Sequence, residues 1–290
     1  MLEKIVLPLA LIVLMLGLGM TLKRGDFLRV ARRKRVVAAA LLSIFLVMPA
    51  VAWGIGGLFD LAAPLSMGLI LLAACPGGML SNMMTHSARG DVVLSVTLTV
   101  ASTLIYGLAA PLAVTLFISH PGDKMESTVL AMLRMVAEVL GVVVVPMLAG
   151  MALRSRNPLL CAAVEAPLRW AAAALVVAVF IRLGYLQIAS FEAAGLRMVG
   201  AVVSLNLIGW VMAGAIGVGF RLSRSEFIAI SMEHSIRQEG TGVFVAVSIV
   251  GNPHIAVPLI INSAVGFLLS VVMNGTTALL AGRRLGGPLV

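Results

Sequence analysis

Apolar stretches long enough to cross a lipid bilayer recur along nearly the whole chain. A helix needs about 20 apolar residues to span the ~30 Å hydrocarbon core of a membrane, and runs of that length alternate here with short polar loops. With 61% hydrophobic and 11% charged residues, this 290-residue chain cannot bury its apolar surface in one soluble core. The runs are continuous and lack the two-residue alternation of membrane strands, so they predict an all-α integral membrane protein.

Nine transmembrane spans are predicted from the apolar runs between polar interruptions. The run after Met1-Leu2-Glu3-Lys4 has neither a basic leader nor a cleavage site, so we interpret it as a retained span. The cysteines at 75 and 161 fall in or near spans and are interpreted as small hydrophobic residues. The spans lie at residues 5–22, 36–57, 64–88, 91–118, 128–153, 165–186, 195–219, 225–250 and 255–282.

Basic residues are unevenly divided between the two sides of this predicted topology. One side carries a cluster between Lys23 and Arg35 and seven further arginines, whereas the other side carries only four bases. Because cytoplasmic loops are rich in Lys and Arg, this predicts an external N-terminus and a cytoplasmic C-terminus. The cluster could also bind lipid or a partner. The seven arginines are Arg89, Arg154, Arg156, Arg221, Arg224, Arg283 and Arg284, and the four opposing bases are Lys4, Lys124, Arg182 and Arg197.

Two of the predicted spans contain polar residues next to glycines and are therefore predicted to be broken helices. The first break is Cys75-Pro76-Gly77-Gly78 followed by Ser81-Asn82, and the second extends from Ser231 to Gly242. A membrane helix is interrupted only where protein or a wet cavity can satisfy the freed backbone groups. The two broken spans are the third and the eighth, and their odd spacing predicts opposite directions, as in inverted repeats.

Glu233 is the acidic residue that most needs an explanation, because an ionised carboxylate inside a membrane is costly without a partner or a function. Ser81 and Asn82 bring oxygens from the other break, and Ser95 and Thr99 share a helix face. Such oxygens with one carboxylate favour a hard cation such as sodium. The alternatives are that the two hydroxyls bond their own helix and that Glu233 pairs with Arg237, four residues later.

These residues resemble those of the bile acid:sodium symporter family over nearly the whole chain. The resemblance is carried by the first break and by the Glu233 segment, together with four further motifs. The motifs are Arg89-Gly90-Asp91-Val92, Leu94-Ser95-Val96-Thr97-Leu98-Thr99, Gly19-Met20-Thr21-Leu22-Lys23 with Asp26-Phe27, and Met48-Pro49.

The resemblance implies a single transporter unit over 1–290, with inverted repeats at 5–118 and 128–282, crossed broken helices, and core and panel domains. The first repeat would lack one helix relative to ten-span members. Family members move organic anions with sodium, so the resemblance implies a first sodium site. Its ligands would be Ser81, Asn82, Ser95, Thr99 and Glu233.

The second sodium site of the family is degraded in this sequence. Ile44 and Arg237 stand where the resemblance implies glutamine ligands, followed by Gln238 and Glu239. A guanidinium stays charged and could fill the place of the second cation, balanced by one of the two glutamates. Arg237 could instead bind an anionic substrate or form a structural ion pair.

Four residues are predicted to face the substrate, and one is a possible proton relay. Met79 and Leu80 replace smaller residues of many relatives, and Asn274 aligns with a polar cavity position. Gln238 completes the substrate set. His234 adjoins Glu233 and could relay a proton.

The sequence therefore predicts a secondary transporter of a small or amphipathic organic anion in the inner (plasma) membrane, using one sodium ion. Proton coupling and uncoupled or channel-like movement on the same fold are the alternatives. Neither an enzyme nor a nucleic-acid partner is predicted: Ser235 beside His234 has the ingredients of a protease, but adjacent helical residues point in different directions. The lipid bilayer and the substrate are the predicted partners, and no oligomeric state is predicted.

Overall fold

The computed structural model describes residues 3–21, 34–118 and 125–284, and all the long regular elements within these ranges are helices. A 3₁₀ turn, Pro253–Ala256, precedes the last helix. The helices are α1 Glu3–Thr21; α2, comprising Lys34–Leu42, the π-helical turn Ser43–Val47 and Met48–Leu58; α3 Ala63–Ala74; α4 Met79–Ser87; α5 Val92–Ile118; α6, comprising Met125–Val139, the π-helical turn Leu140–Val144 and Val145–Arg156; α7 Pro158–Leu186; α8 Ile188–Gly219; α9 Arg224–Ser235; α10, comprising Glu239–Phe244 and the π-helical turn Val245–Ile249; and α11 Val257–Arg284.

The predicted class of integral membrane protein is confirmed at the level of helix length and composition. Within the described ranges, six helical segments are long and apolar enough to cross a membrane, and three shorter apolar helices accompany them. The count of nine spans stays a prediction. The long segments are Lys34–Leu58, Val92–Thr115, Met132–Arg156, Pro158–Leu186, Gly195–Gly219 and Pro253–Met273, and the short ones are Ile5–Thr21, Ala63–Ala74 and Glu239–Ile249.

Both predicted interruptions are present in the structure. The run predicted at 64–88 is divided into α3 and α4, and the run at 225–250 is divided into α9 and α10. The chain is extended at Cys75, with φ −56° and ψ 136°, and at Ile236, with φ −101° and ψ 106°. Most of the basic cluster from Lys23 to Arg35 lies outside the described residues, so nothing in the structure bears on the predicted orientation.

Local sequence signals account for several helix boundaries. Ser223 caps α9 in a reciprocal box, because its hydroxyl accepts from the Glu226 amide while Glu226 Oε2 accepts from the Ser223 amide at 2.9 Å. Pro64 lies in the first turn of α3, where its missing N–H leaves no helical bond unmade. Gly195 has φ 53° and kinks α8, so the straight part of that helix begins at the residue where the seventh span was predicted to begin.

Large apolar side chains cover much of the outer surface, as expected for helices that face lipid. Leu58, Leu159, Leu196 and Val218 are each more than 80% exposed. A soluble protein rarely presents so many exposed aliphatic groups on its helices. The surface therefore supports the same conclusion as the composition.

Glycines allow α1 to pack closely against α6. A Cβ atom on Gly19 would lie 2.0 Å from the Met147 carbonyl oxygen, and one on Gly150 would lie 2.2 Å from the Leu16 carbonyl oxygen. Arg154 of α6 also donates to the Met20 carbonyl oxygen at 2.5 Å. Small residues at such positions let membrane helices approach each other, so α1, α6 and the adjoining α7 form one packed group.

We predict that Gly150→Ala lowers the free energy of unfolding by about 1–3 kcal/mol, because the new methyl group overlaps the backbone of α1. The thermal unfolding temperature in detergent measures this loss. Gly141→Ala on α6 is the matched control, since a Cβ there meets nothing within 4 Å. Equal unfolding temperatures for the two variants would contradict the packing.

Candidate functional site

The two helix breaks lie directly against each other. Gly77 and Arg237 form an isolated antiparallel bridge, and the Gln238 amide donates to the Pro76 carbonyl oxygen at 2.9 Å. Each break frees backbone groups that lipid could not satisfy. The breaks therefore satisfy part of each other's hydrogen-bonding requirement, and they bring together segments far apart in sequence.

The Glu233 carboxylate accepts hydrogen bonds from three hydroxyls of the first half of the chain. Its Oε1 lies 2.6 Å from Ser81 Oγ, 2.8 Å from Thr99 Oγ1 and 3.1 Å from Ser95 Oγ. All four residues are buried. Helices α4 and α5 thus supply the hydroxyls, and α9 supplies the acid.

Asn82 completes this group, so the structure brings all five residues of the predicted cation set together. Its Oδ1 lies 2.8 Å from Ser95 Oγ and 3.3 Å from Thr99 Oγ1. Ser81 Oγ is also 2.6 Å from the Gly78 carbonyl oxygen. We call this set of five residues with the Gly78 carbonyl the oxygen cluster.

The chemistry of the oxygen cluster fits a small hard cation. Hydroxyl, amide, backbone carbonyl and carboxylate oxygens are the ligands that such ions prefer, and one carboxylate supplies the charge. Among the described residues, no three His, Cys, Asp or Glu side chains converge in the manner of a transition-metal site. The residues would hold a monovalent ion by the oxygens alone.

Gly77 fixes the position of the Glu233 carboxylate. A Cβ atom on Gly77 would lie only 1.8 Å from Glu233 Oε2, an atom for which the described residues provide no hydrogen-bond partner. A Cβ on the neighbouring Gly78 would sit at an ordinary 3.4 Å from the Gln238 side chain. The break therefore needs glycine at 77 for space, because the acid packs against its backbone.

Arg237 does not form the ion pair with Glu233 that a spacing of four residues would allow on one continuous helix. Helix α9 ends at Ser235, so the spacing of four residues no longer places the two side chains on one face. Instead Arg237 Nη1 donates to the carbonyl oxygens of Ala73 and Cys75. A cation there complements the partial negative charge at the end of α3.

His234 and Ile44 belong to the contact between α9 and α2. His234 Nδ1 lies 2.9 Å from the Ile230 carbonyl oxygen, and its Nε2 lies 3.0 Å from Ser43 Oγ. Ile44 is fully buried beside Ser43 in the π-helical turn of α2. Both ring nitrogens have partners other than Ser235, whose own hydroxyl is buried without one in the described structure. The proton relay through His234 stays a prediction.

A cavity of about 700 Å³ opens beside the breaks, between α1, α7 and the start of α10. Leu80 and Gln238, both predicted to face the substrate, line it. The side chains of Met79 and Asn274, the other two predicted substrate residues, lie outside the described part of the structure. Arg237 and Glu239 also border the cavity, so two residues of the predicted second ion site lie on the same wall as two of the predicted substrate residues.

Sequence reasoning missed two polar residues that support this region. Thr85 donates to the Ser81 carbonyl oxygen at 2.8 Å and lies 3.2 Å from Ser95 Oγ. Asn206 donates to Asn262 Oδ1 at 2.7 Å, and Asn262 Nδ2 donates to Glu239 Oε1 at the same distance. The four-residue spacing of Thr85 from Ser81, and an asparagine inside the apolar α8, were the available signals.

Comparison with known proteins identifies the family. The model of the Sodium Bile acid symporter family matches residues 8–192, which is more than half of the chain. The chain belongs to the sodium bile acid symporter family. This confirms the resemblance stated from the sequence motifs, and the family is one of transporters rather than enzymes.

Several curated proteins of this symporter family are similar to the chain. The Probable sodium/metabolite cotransporter BASS1, chloroplastic, of Arabidopsis thaliana is 33% identical over 91% of the chain and 65% of its own length. The rice protein of the same name is 33% identical over 86% of the chain and 60% of its own length. The Uncharacterized sodium-dependent transporter YocS of Bacillus subtilis is 38% identical over 36% of the chain and 33% of its own length. The chain thus spans somewhat less than two thirds of the two plant symporter-family proteins.

The family match covers four of the five residues of the oxygen cluster, and Glu233 lies outside it. Residues 8–192 include Ser81, Asn82, Ser95 and Thr99 but end before Glu233. The contact of Glu233 with that symporter-family segment is therefore an observation of the tertiary structure.

Multi-pass membrane placement follows from the apolar helices and the family together.

We predict that Gly77→Ala displaces the Glu233 carboxylate and destabilises the protein by about 1–3 kcal/mol, because overpacking at a buried contact forces its neighbours apart. Thermal unfolding in detergent measures the loss. Gly78→Ala is the matched control at the next residue and is expected to cost much less. If Gly78→Ala lowered the unfolding temperature as much as Gly77→Ala, the contact between Gly77 and the Glu233 carboxylate would not be the cause of the lost stability.

Proposed function

We propose that the chain is a secondary active transporter that couples the entry of a small or amphipathic organic anion to sodium. The observation that carries the proposal is the convergence of three hydroxyls on Glu233 Oε1, two of which also bond the Asn82 amide oxygen. The names of the plant relatives and of the Bacillus protein describe sodium-linked transport. Those names and the donor set support the same ion.

The oxygen cluster gives the cation a mechanical role. Ser81 and Asn82 lie on the second half of the first broken helix, whereas Glu233 precedes the second break. A bound cation would offset the repulsion between oxygen dipoles and the carboxylate, and so would hold the two breaks together. Sodium, when bound, supplies one positive charge, and the carboxylate balances it.

We further propose nine spans in two inverted repeats, at 5–118 and 128–282, with the N-terminus outside and the C-terminus in the cytoplasm. The group formed by α1, α6 and α7 would be the panel domain, and the helices around the breaks would be the core domain. Two observations support this division: the close packing of α1 on α6, and the cavity between that group and the second break. The plasma membrane is the proposed location.

Arg237 is proposed to take the place of a second sodium ion. Its guanidinium is bound by carbonyl oxygens at the end of α3, where a mobile cation would otherwise be favoured. Coupling would then use one sodium ion per monoanion and would be electroneutral. A tenfold sodium gradient supplies about 1.4 kcal/mol per ion, so such a carrier would accumulate its substrate about tenfold.

Proton coupling is the alternative to sodium coupling, and a second carboxylate near the cavity supports it. Glu239 is a second carboxylate at the margin of the cavity, and its Oε1 is held by Asn262 at 2.7 Å. A carboxylate that exchanges its proton during transport could replace the ion gradient as the source of energy. Uptake that responds to pH and ignores sodium would favour this alternative.

We predict that Glu233→Gln abolishes the stabilisation of the purified protein by sodium, because the bound cation would lose its counter-charge. A ligand at 100 times its Kd stabilises a folded protein by about 2.7 kcal/mol, which thermal shift readily detects. The comparison uses sodium against potassium at equal ionic strength. Sodium-dependent uptake in proteoliposomes should disappear in the same variant, and near-normal sodium dependence would contradict the proposed site.

We predict that Thr99→Val weakens sodium binding by about tenfold, since removal of one ligand oxygen leaves the size of the side chain unchanged. Thr103→Val is the matched control one turn along α5. Its hydroxyl donates to the Thr99 carbonyl oxygen at 2.6 Å and does not belong to the oxygen cluster. Titration of the thermal shift with sodium measures both variants, and an equal loss in both would count against the assignment.

We predict that Arg237→Gln combined with Ile44→Gln creates a second sodium dependence, because removal of the fixed guanidinium frees the carbonyls at the end of α3. The Hill slope of uptake for sodium measures this change and should rise from about 1 towards 2 if the two ions bind cooperatively. Arg197→Gln is the control, since Arg197 is largely exposed and lies 3.6 Å from Asp60. An unchanged slope in a folded, active double variant would refute the replacement.

A further inference from the structure

Thr85 is a buried residue outside the oxygen cluster that contacts two of its members. It lies on α4, one turn after Ser81, and its side chain is fully buried. Its hydroxyl donates to the Ser81 carbonyl oxygen at 2.8 Å, and its Oγ1 lies 3.2 Å from Ser95 Oγ on α5. Thr85 therefore bridges the two helices that supply the hydroxyls of the cluster.

The loop between α4 and α5 fixes the position of Thr85. The Gly90 amide donates to the Thr85 carbonyl oxygen at 2.7 Å, and a Cβ atom on Gly90 would lie 2.7 Å from Thr85 Cγ2. Asp91 accepts from the Leu94 amide at 3.0 Å, and its own amide donates to the Ser225 carbonyl oxygen in the first turn of α9 at 2.8 Å. The loop is thus tied to α5 and α9, and it holds Thr85 from the side opposite the cluster.

In the structure, the hydroxyls of the cluster donate to the oxygens that would bind a cation. Ser95 Oγ lies 2.8 Å from Asn82 Oδ1 and 3.1 Å from Glu233 Oε1, and Ser81 Oγ lies 2.6 Å from Glu233 Oε1. A hydroxyl has one hydrogen and two lone pairs, so as a cation ligand it presents a lone pair and turns its hydrogen away. Each ligand hydroxyl therefore needs a second acceptor outside the centre of the cluster.

Ser81 and Ser95 each have such a second acceptor. Ser81 Oγ lies 2.6 Å from the Gly78 carbonyl oxygen. For Ser95 the second acceptor is Thr85 Oγ1, because the Thr85 hydrogen bonds the Ser81 carbonyl oxygen and leaves the lone pairs of Oγ1 to accept. Hydroxyl hydrogens rotate freely, so the bond between Thr85 and Ser95 can reverse its direction without movement of either helix.

We infer that Thr85 is a positioning residue for cation binding, which accepts the Ser95 hydrogen so that Ser95 Oγ can serve as a ligand. This inference rests on the proposed sodium site. Without the Thr85 hydroxyl, Ser95 either keeps its hydrogen directed at Asn82 or Glu233 or becomes a buried donor with no partner. An unpaired buried donor is costly, so the site loses affinity although all five predicted ligands remain.

Thr85→Val tests this role, because valine keeps the branched shape of threonine and removes only the hydroxyl. Titration of the thermal shift with sodium, on the full-length protein in detergent at constant ionic strength, is expected to show about tenfold weaker binding. Thr85→Ser retains the hydroxyl and should restore most of the affinity. Sodium-dependent uptake in proteoliposomes should follow the same order.

Thr103→Val is the matched control. The Thr103 hydroxyl donates to the Thr99 carbonyl oxygen at 2.6 Å, just as Thr85 donates to the carbonyl of the cluster residue four positions earlier. Both threonines are fully buried, but only Thr85 also contacts a hydroxyl of the cluster among the contacts described. Both valine variants should therefore lower the unfolding temperature without sodium, and only Thr85→Val should weaken sodium binding.

Ser95→Ala shows whether Thr85 acts through Ser95. In this background the hydrogen that Thr85 would accept is absent, so adding Thr85→Val is expected to change the sodium affinity less than about twofold. A further loss of about tenfold would place the effect of Thr85 elsewhere and overturn the inference.

Two other results would overturn the inference: a sodium affinity of Thr85→Val equal to that of the wild-type protein, or Thr85→Ser binding sodium no more tightly than Thr85→Val. A lower unfolding temperature with an unchanged sodium affinity would show a merely structural role. A wild-type protein that sodium does not stabilise would contradict the proposed function as well. A wild-type response to sodium that Thr85→Val leaves intact would contradict this inference alone.

Discussion

The Glu233 carboxylate is the contact on which the arrangement of the two helix breaks depends. A buried charge in a membrane protein is tolerated only when other groups stabilise it. Here three hydroxyls from α4 and α5 bond its Oε1, and the backbone of Gly77 packs against its Oε2. Ser81 lies 152 positions before Glu233 in the chain, so this contact joins its two halves.

The two helix breaks form the site, and they also leave backbone groups that need hydrogen-bond partners. Ending α3 at Ala74 and α9 at Ser235 frees backbone carbonyls and amides inside an apolar environment. The bridge between Gly77 and Arg237 and the guanidinium at the end of α3 satisfy several of these groups. Arg237 places a fixed positive charge at the end of α3, and Glu233 places a carboxylate in the oxygen cluster. In the proposed mechanism, a single mobile cation balances that carboxylate.

Local sequence signals predicted the helices well and predicted side-chain partners only where the helices continue. Ser95 and Thr99 share a face of the unbroken α5, and both reach Glu233 as expected. Glu233 and Arg237 have the same spacing but do not pair, because α9 ends between them. Asn206 was not predicted as a functional residue, because an isolated asparagine in an apolar helix more often bonds a neighbouring helix than belongs to a binding site. Its role is visible only through Asn262 and Glu239.

The sequence by itself determined that the chain forms apolar helices with two interruptions, because hydropathy, proline and glycine act locally. The family motifs added a prediction of which side-chain oxygens would bind a cation. Only the tertiary structure decided that Arg237 turns to the end of α3, that Glu233 rests on Gly77, and that a cavity opens beside the two breaks. These contacts arise where regular helix stops. Beyond that point sequence spacing no longer sets direction, and packing between distant segments does.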